Sequence, residues 1–164
     1  MSSPEVLLRG DGSLPWRPVS PSLARVRLIT LVILLVPPLI ATLVLGTFVS
    51  PWFWIASAAI PVLGTVLAWV IGRGVSAISW IELEEEIIIR KGRVLRRLVS
   101  VPYGRLQYVD LQSGPLMRAF GLASCEIHTA SPESGGSIPG LPAAEAEALR
   151  ARLAARGEAQ RAGL

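Results

Sequence analysis

The chain has 164 residues, a net charge of +4 and one cysteine, and 51% of its residues are hydrophobic. Its mean hydropathy is +0.52, which leaves room for one small soluble domain beside a membrane segment. Cys125 has no partner for an internal disulfide, which excludes a disulfide scaffold and suits a reducing compartment.

Residues 1–27 carry Pro4, Pro15, Pro18 and Pro21 among glycines and serines. Such a segment has few apolar residues to offset the entropy of ordering it, and a flexible arm is expected. From Leu28 to Gly72 no side chain is charged, and Ser50-Pro51 is the single break. A helix needs about 20 apolar residues to cross a bilayer. Two spans follow, 28–49 and 52–71, forming a transmembrane hairpin over 28–72 with almost no loop. Both runs exceed the 7–15 residues of a signal-peptide core, so an uncleaved anchor is expected. Arg9, Arg17, Arg25 and Arg27 precede the first span and Arg73 follows the second, while the turn has no cation. That asymmetry predicts a multi-pass cell-membrane protein with both termini cytoplasmic. The basic residues are spread along the chain without a recognition motif, so nucleic acid is not an expected partner.

Trp52 and Trp54 after the turn, and Trp69 and Trp80 at the far end, are expected to mark the two interfaces. Pro37-Pro38 and Pro61 should kink the spans. Gly46, Ala56, Ala59 and Gly64 would let them approach. A re-entrant hairpin bending at the prolines is the alternative. Neither span holds an ionisable residue, which speaks against an ion or proton pathway within them.

Beyond Gly74 the pattern shortens to strand-like runs. Ile78–Leu83, Ile87–Arg90, Val94–Val101, Leu106–Leu111 and Ala123–Thr129 are expected strands, and Ser137-Ile138 can begin a short last one. Lys91-Gly92 supplies a hairpin turn. On the strand at Ala123–Thr129, period two puts Cys125 and Ile127 on one face and Glu126 and His128 on the other. Ala146, Leu149 and Leu153 form an apolar stripe on a C-terminal helix beginning near Pro142. The expected fold is a two-helix hairpin followed by a small antiparallel β roll or open barrel over 74–156, with a C-terminal helix and a frayed tail at 157–164.

These residues carry a resemblance. The hairpin, Ile87–Gly92 (IIIRKG), Val101–Gln107 (VPYGRLQ), Gly114–Thr129 (GPLMRAFGLASCEIHT) and Ile138–Leu141 (IPGL) before an Ala/Glu helix are similar to the bacterial membrane-flanked PH-like family of YdbS type. The resemblance implies a PH-like α+β fold and a membrane-associated role, often beside a longer relative with several such domains. It brings no enzymatic activity, catalytic residue or cofactor.

The residues themselves agree. His128 is the one histidine, and Cys125 falls on the opposite strand face, so no metal cluster forms. Ser124, His128 and Asp110 lack the context of a nucleophile elbow. Glu82, Glu84, Glu85 and Glu86 are expected to be a solvated turn. Pro102, Arg105, Gln107, Gly114, Pro115, Arg118 and Gly121 stand at expected bends and serve the fold or an interaction. Arg90, Lys91, Arg93, Arg96 and Arg97 cluster on one hairpin, where each cation near anionic lipid is worth about 1 kcal/mol. The functional expectation is a non-enzymatic membrane-anchored PH-like scaffold whose partner is a longer relative or another copy. An anionic-lipid-sensing module using the basic hairpin is one alternative, and an accessory subunit of a transport or export complex is another.

Overall fold

The computed structural model describes residues 15–92, 96–130 and 135–163, which form two units, 24–73 and a soluble unit that joins the chain before residue 24 to everything after residue 73.

The first unit is the hairpin. Helix α1 spans Ser22–Phe48 and α2 spans Trp52–Val75. Both are long and apolar enough to cross a bilayer, and their most apolar stretches are almost wholly unburied within the protein. The chain reverses at Ser50-Pro51, where the Val49 and Ser50 amides both return to the Leu45 carbonyl. Pro37, Pro38 and Pro61 lie inside the helices. The Thr42 and Thr65 hydroxyls donate to the Pro38 and Pro61 carbonyls one turn back, a local use of side-chain donors on helical backbone. Gly46 and Gly64 are contact points: a Cβ on either would stand 3.2 Å from the Trp54 indole or 2.9 Å from Leu35.

The second unit has two antiparallel sheets. One has the order β1-β2-β3-β4, made of Arg17–Pro18, Ser79–Glu82, Glu86–Lys91 and Arg97–Pro102. A 3₁₀ turn at Tyr103–Arg105 leads into the other, β5-β6-β7, made of Leu106–Gln112, Leu122–Thr129 and Gly136–Pro142. The short helix α3, Pro115–Ala119, links β5 to β6, and α4, Ala143–Arg161, closes the unit. Ile87, Ile88 and Ile89 are all fully buried. They show no alternation because β3 is covered on both faces. Ile87 and Ile89 face Val101 and Val99 across the ladder, on the side of β7. Ile88 packs with Ile81 under Trp16, Leu83 and Leu98 on the other side. Cys125 and Ile127 point inward as the strand period requires, and Ala146, Leu149 and Leu153 of α4 are buried.

Several expectations are corrected. Within the arm expected over 1–27, the described residues take a defined place: Arg17 and Pro18 pair with Trp80 and Ser79, and Val19 and Leu23 are buried. Burial of Val19 and Leu23, with Trp16 partly buried, offsets part of the entropy of ordering so short a strap. Residues 1–14 lie outside the described residues. Helix α1 begins at Ser22, where the Ser20 hydroxyl accepts from the Ser22 amide and Pro21 precedes the helix with its φ already set. Trp80 is not an interfacial anchor. It is fully buried in β2, with the Arg17 guanidinium 5.4 Å from its ring. The last strand is a full seven residues, and α4 runs through the tail expected to fray, with Gly157 buried against Leu106.

Two glycines set the spacing of this unit. Gly136 starts β7 under β3, where an added Cβ would lie 2.6 Å from the Ile89 Cδ1. Gly140 has a φ of +70°, and an added Cβ would lie 2.7 Å from the Leu23 Cβ. Its carbonyl accepts from the Ser20 amide at 3.0 Å, so the strap touches both sheets. Gly140→Ala is expected to lose roughly 2–4 kcal/mol, combining left-handed strain with overpacking against Leu23. Gly114→Ala, with open space around it, should stay within about 0.5 kcal/mol. Denaturant unfolding of the full chain in detergent micelles checks both.

Candidate functional site

The β3–β4 hairpin places Lys91 directly opposite Arg97. Gly92 turns the chain there with a φ of +87°, as the hairpin requires. Lys91 and Arg97 share the face of Ile89 and Val99, just past the point where Gly136 closes the two sheets together. Beyond that closure the sheets diverge, leaving a cleft of about 330 Å³. Its far wall is β6 and β7, with Glu126, His128 and Ser137. Among the described lining residues, two cations, an imidazole and a hydroxyl stand with one carboxylate, a mildly anion-attracting set.

The five clustered cations therefore part company. Arg90 lies on the opposite face of β3, where its Nε donates to the Ser79 hydroxyl at 3.1 Å and its guanidinium sits 4.5 Å over the Trp16 ring. It fastens the strap and does not line the cleft. Arg96 is exposed at the start of β4. Arg93 lies outside the described residues.

His128 is an exposed-face residue, stacked on Tyr108 with ring centroids 4.4 Å apart and planes 13° apart. Its Nε2 is 3.8 Å from a Glu126 carboxylate oxygen, and the other neighbour of that carboxylate is the Gln112 amide at 3.1 Å. Among the described residues no group of His, Cys, Asp and Glu is arranged to hold a metal ion.

The second set of expected positions is divided between bends and a shallow surface. Pro102 ends β4 and leads into the 3₁₀ turn, where the Tyr103 amide donates to the Glu85 carbonyl. Gly114 and Pro115 open α3, and Arg118 donates to the Ser113 carbonyl at 3.3 Å. Gly121 has a φ of +64°, and its carbonyl receives the Ala143 amide that starts α4. These residues shape the chain. Arg105 and Gln107 are exposed and border a second cleft of about 400 Å³ with Gly104, Thr129 and Arg161.

One polar constellation was not legible from residue order. Glu82 is not part of a solvated carboxylate turn: Arg152 grips it with two bonds of 2.8 and 3.2 Å, and Arg156 stands 4.0 Å away. Arg156 also donates to the Leu83 carbonyl and the Tyr103 hydroxyl, both at 2.8 Å, and Tyr103 itself donates to Leu83 at 3.1 Å. The bond to Glu82 raises the Arg152 pKa, and burial raises that of Tyr103 against the weaker opposing pull of Arg156. The network ties α4 to the β2–β3 turn. A Glu at the end of one strand and an Arg-x-x-x-Arg on the last helix is its only trace in sequence, since nothing local links positions so far apart.

Burial pushes the Cys125 thiol from its ordinary 9.0 up to about 11. The fold thus favours the neutral thiol. This contribution is complete below the unfolded-state pKa and is lost as pH rises through about 11. At pH 8 the native chain should react with iodoacetamide at least about a hundredfold more slowly than the unfolded chain, because almost no thiolate is present. The rate of label uptake, followed by intact-protein mass spectrometry, checks this.

Residues 22–157 match the family described as Bacterial PH domain. A stretch of 67 residues is 42% identical to the UPF0699 transmembrane protein YdbS of Bacillus subtilis (strain 168), covering 41% of this chain and 41% of that one. The chain thus spans well under two thirds of the length of the curated relative it matches. No solved structure matches it. With two membrane-length helices interrupting a PH-like soluble unit, the chain belongs to the bacterial PH domain family and is a membrane-associated protein of the YdbS type.

Proposed function

We propose that this protein is a non-enzymatic, membrane-anchored interaction scaffold that presents its PH-like unit at the cytoplasmic face. The observation that carries this reading is the way the domain is threaded. Strand β1 precedes the hairpin and β2 follows it, yet the two pair in register, Arg17 with Trp80 and Pro18 with Ser79. The sheet is therefore attached to the membrane segment at both ends, through Ser22 on one side and Val75 on the other. The soluble unit thus both precedes and follows the hairpin in the chain. That suits a surface offered repeatedly to a partner in the same membrane, such as a longer PH-like relative or another copy. Arg25, Arg27 and Arg73 at the hairpin ends favour the cytoplasmic side.

Chemical crosslinking in native membranes, with mass spectrometry of the products, is expected to recover a protein partner; monomer alone would count against a scaffold. Fusion of a fluorescent protein to the C-terminus should give fluorescence, and fusion of alkaline phosphatase no activity, if that end is cytoplasmic.

A second reading rests on the facing Lys91 and Arg97 at the cleft. An anionic lipid headgroup fits two cations and a hydroxyl, and each contact near the surface is worth about 1 kcal/mol. For the full chain in nanodiscs, hydrogen exchange of β3 and β4 should slow when anionic lipid replaces neutral lipid. Lys91→Ala with Arg97→Ala should abolish that difference, and a difference that survives the double substitution would sink this reading.

A further inference from the structure

Among the described residues the soluble unit has four sheet edges, and three are defended. Strand β1 carries Pro18, β4 carries Arg97 and Pro102, and β7 carries Pro139 and Pro142 with Gly136 and Gly140. Proline, a cation or a glycine kink each discourages another strand from pairing. Strand β5 is different. It runs seven residues, Leu106–Gln112, with no proline, glycine, lysine or arginine. Its one bulge lies at the start, between Leu106 and Tyr108, where Leu106 is buried beside Gly157 of α4. From Gln107 onward no residue is buried, and Tyr108 is 56% exposed.

The backbone shows the same openness. The Leu111 amide donates to the carboxylate of its own neighbour Asp110, at 2.8 Å. A side chain capping a strand amide substitutes for the carbonyl that an adjacent strand would offer. Val109, two residues earlier, shares the direction of Leu111 in the ladder.

Deepening the scaffold reading on which it rests, we propose that the β5 edge docks the β5 strand of a second copy, antiparallel and centred on Val109. The charges fit this occupant. Asp110 already faces Glu126 across β6, a like-charge pair that gains nothing from a further acid. Two-fold pairing about Val109 places Tyr108 of each copy opposite Asp110 of the other, a hydroxyl donor against a carboxylate. No like charges meet, the half-covered Val109 gains its own copy as an apolar neighbour, and Leu111 falls opposite Gln107. Such a contact is self-complementary, as closed two-fold assemblies require.

The test uses the full chain in native membranes. Across an antiparallel pair, opposed residues lie about 4.5–5.5 Å apart at Cα, within reach of a disulfide. Under mild oxidation Val109→Cys is expected to give a covalent dimer. The parent chain, whose one thiol is buried, and Ser100→Cys on the β4 edge are expected to stay monomeric. Adding Asp110→Lys should reduce dimer yield roughly tenfold, the worth of two lost cross-strand pairs. No dimer from Val109→Cys, or equal dimer from Ser100→Cys, overturns the proposal. Tyr108→p-benzoylphenylalanine separates the two readings on photolysis. A crosslink to a different protein overturns self-pairing and leaves the scaffold standing. The absence of any protein crosslink, here and in the chemical crosslinking, removes both.

Discussion

The corner where Ser20 and Leu23 meet Gly140 holds the soluble unit together. There a strap from before the hairpin touches the last strand of the second sheet, having just paired with the first strand of the other. The contact needs a residue with positive φ and no side chain, and Gly140 supplies both. Fixing that corner positions Trp16 over Ile81 and Ile88, which in turn seals the outer face of β3. The inner face is sealed separately by β7. A β3 with hydrophobic side chains on both faces is stable only because each face has its own cover.

The opposite corner is organised by Gly136, and the two corners have different consequences. At Gly140 the gap is filled by Leu23. Past Gly136 the sheets splay, and the polar ends of β3, β4 and β6 look into solvent-filled space. The Glu82–Arg152–Arg156–Tyr103 network sits apart from both. It is a partly buried ion pair in which an Arg156 nitrogen and the Tyr103 hydroxyl also bond the Leu83 carbonyl, added bonds of the kind that help such groups repay their desolvation. Its role is to fix where the helix lies, so that Leu149 and Leu153 meet the sheet in one register.

Much of this was legible in residue order, and the limits have physical causes. Uncharged length is a strong signal, and it located both helices and the Ser50-Pro51 reversal. Alternation correctly separated Cys125 and Ile127 from Glu126 and His128. The α4 stripe of Ala146, Leu149 and Leu153 followed from helical period. What escaped depends on contacts far apart in the chain. Trp80 near a membrane span looks like an interfacial anchor, and only its pairing with Arg17 and Ile89 shows it to be core. The strap at 15–23 is rich in proline and lacks a period, so no local rule marks Val19 and Leu23 as buried. Of the site, the hairpin cations were visible as a cluster, but the expected strand stopped at Arg90 and left Lys91 in the turn, so the alternation that sends the two to opposite faces and different neighbours did not reach Lys91. The family resemblance captured the architecture because it encodes those distant contacts together.

Strand β1 pairing with β2 across an intervening hairpin has a consequence for how the molecule is made. A ribosome releases residues 17–18 long before residues 79–80, and two helices of membrane-crossing length separate them in the chain. The four-stranded sheet cannot complete until both ends of the hairpin emerge on one side. A chain in which β1 failed to meet β2 would leave Trp80, Ile81 and Ile88 less covered, apolar surface of the kind that proteolytic quality control acts on. Completion of the four-stranded sheet therefore requires that the two ends of the hairpin have come together, a condition written into the order of the strands.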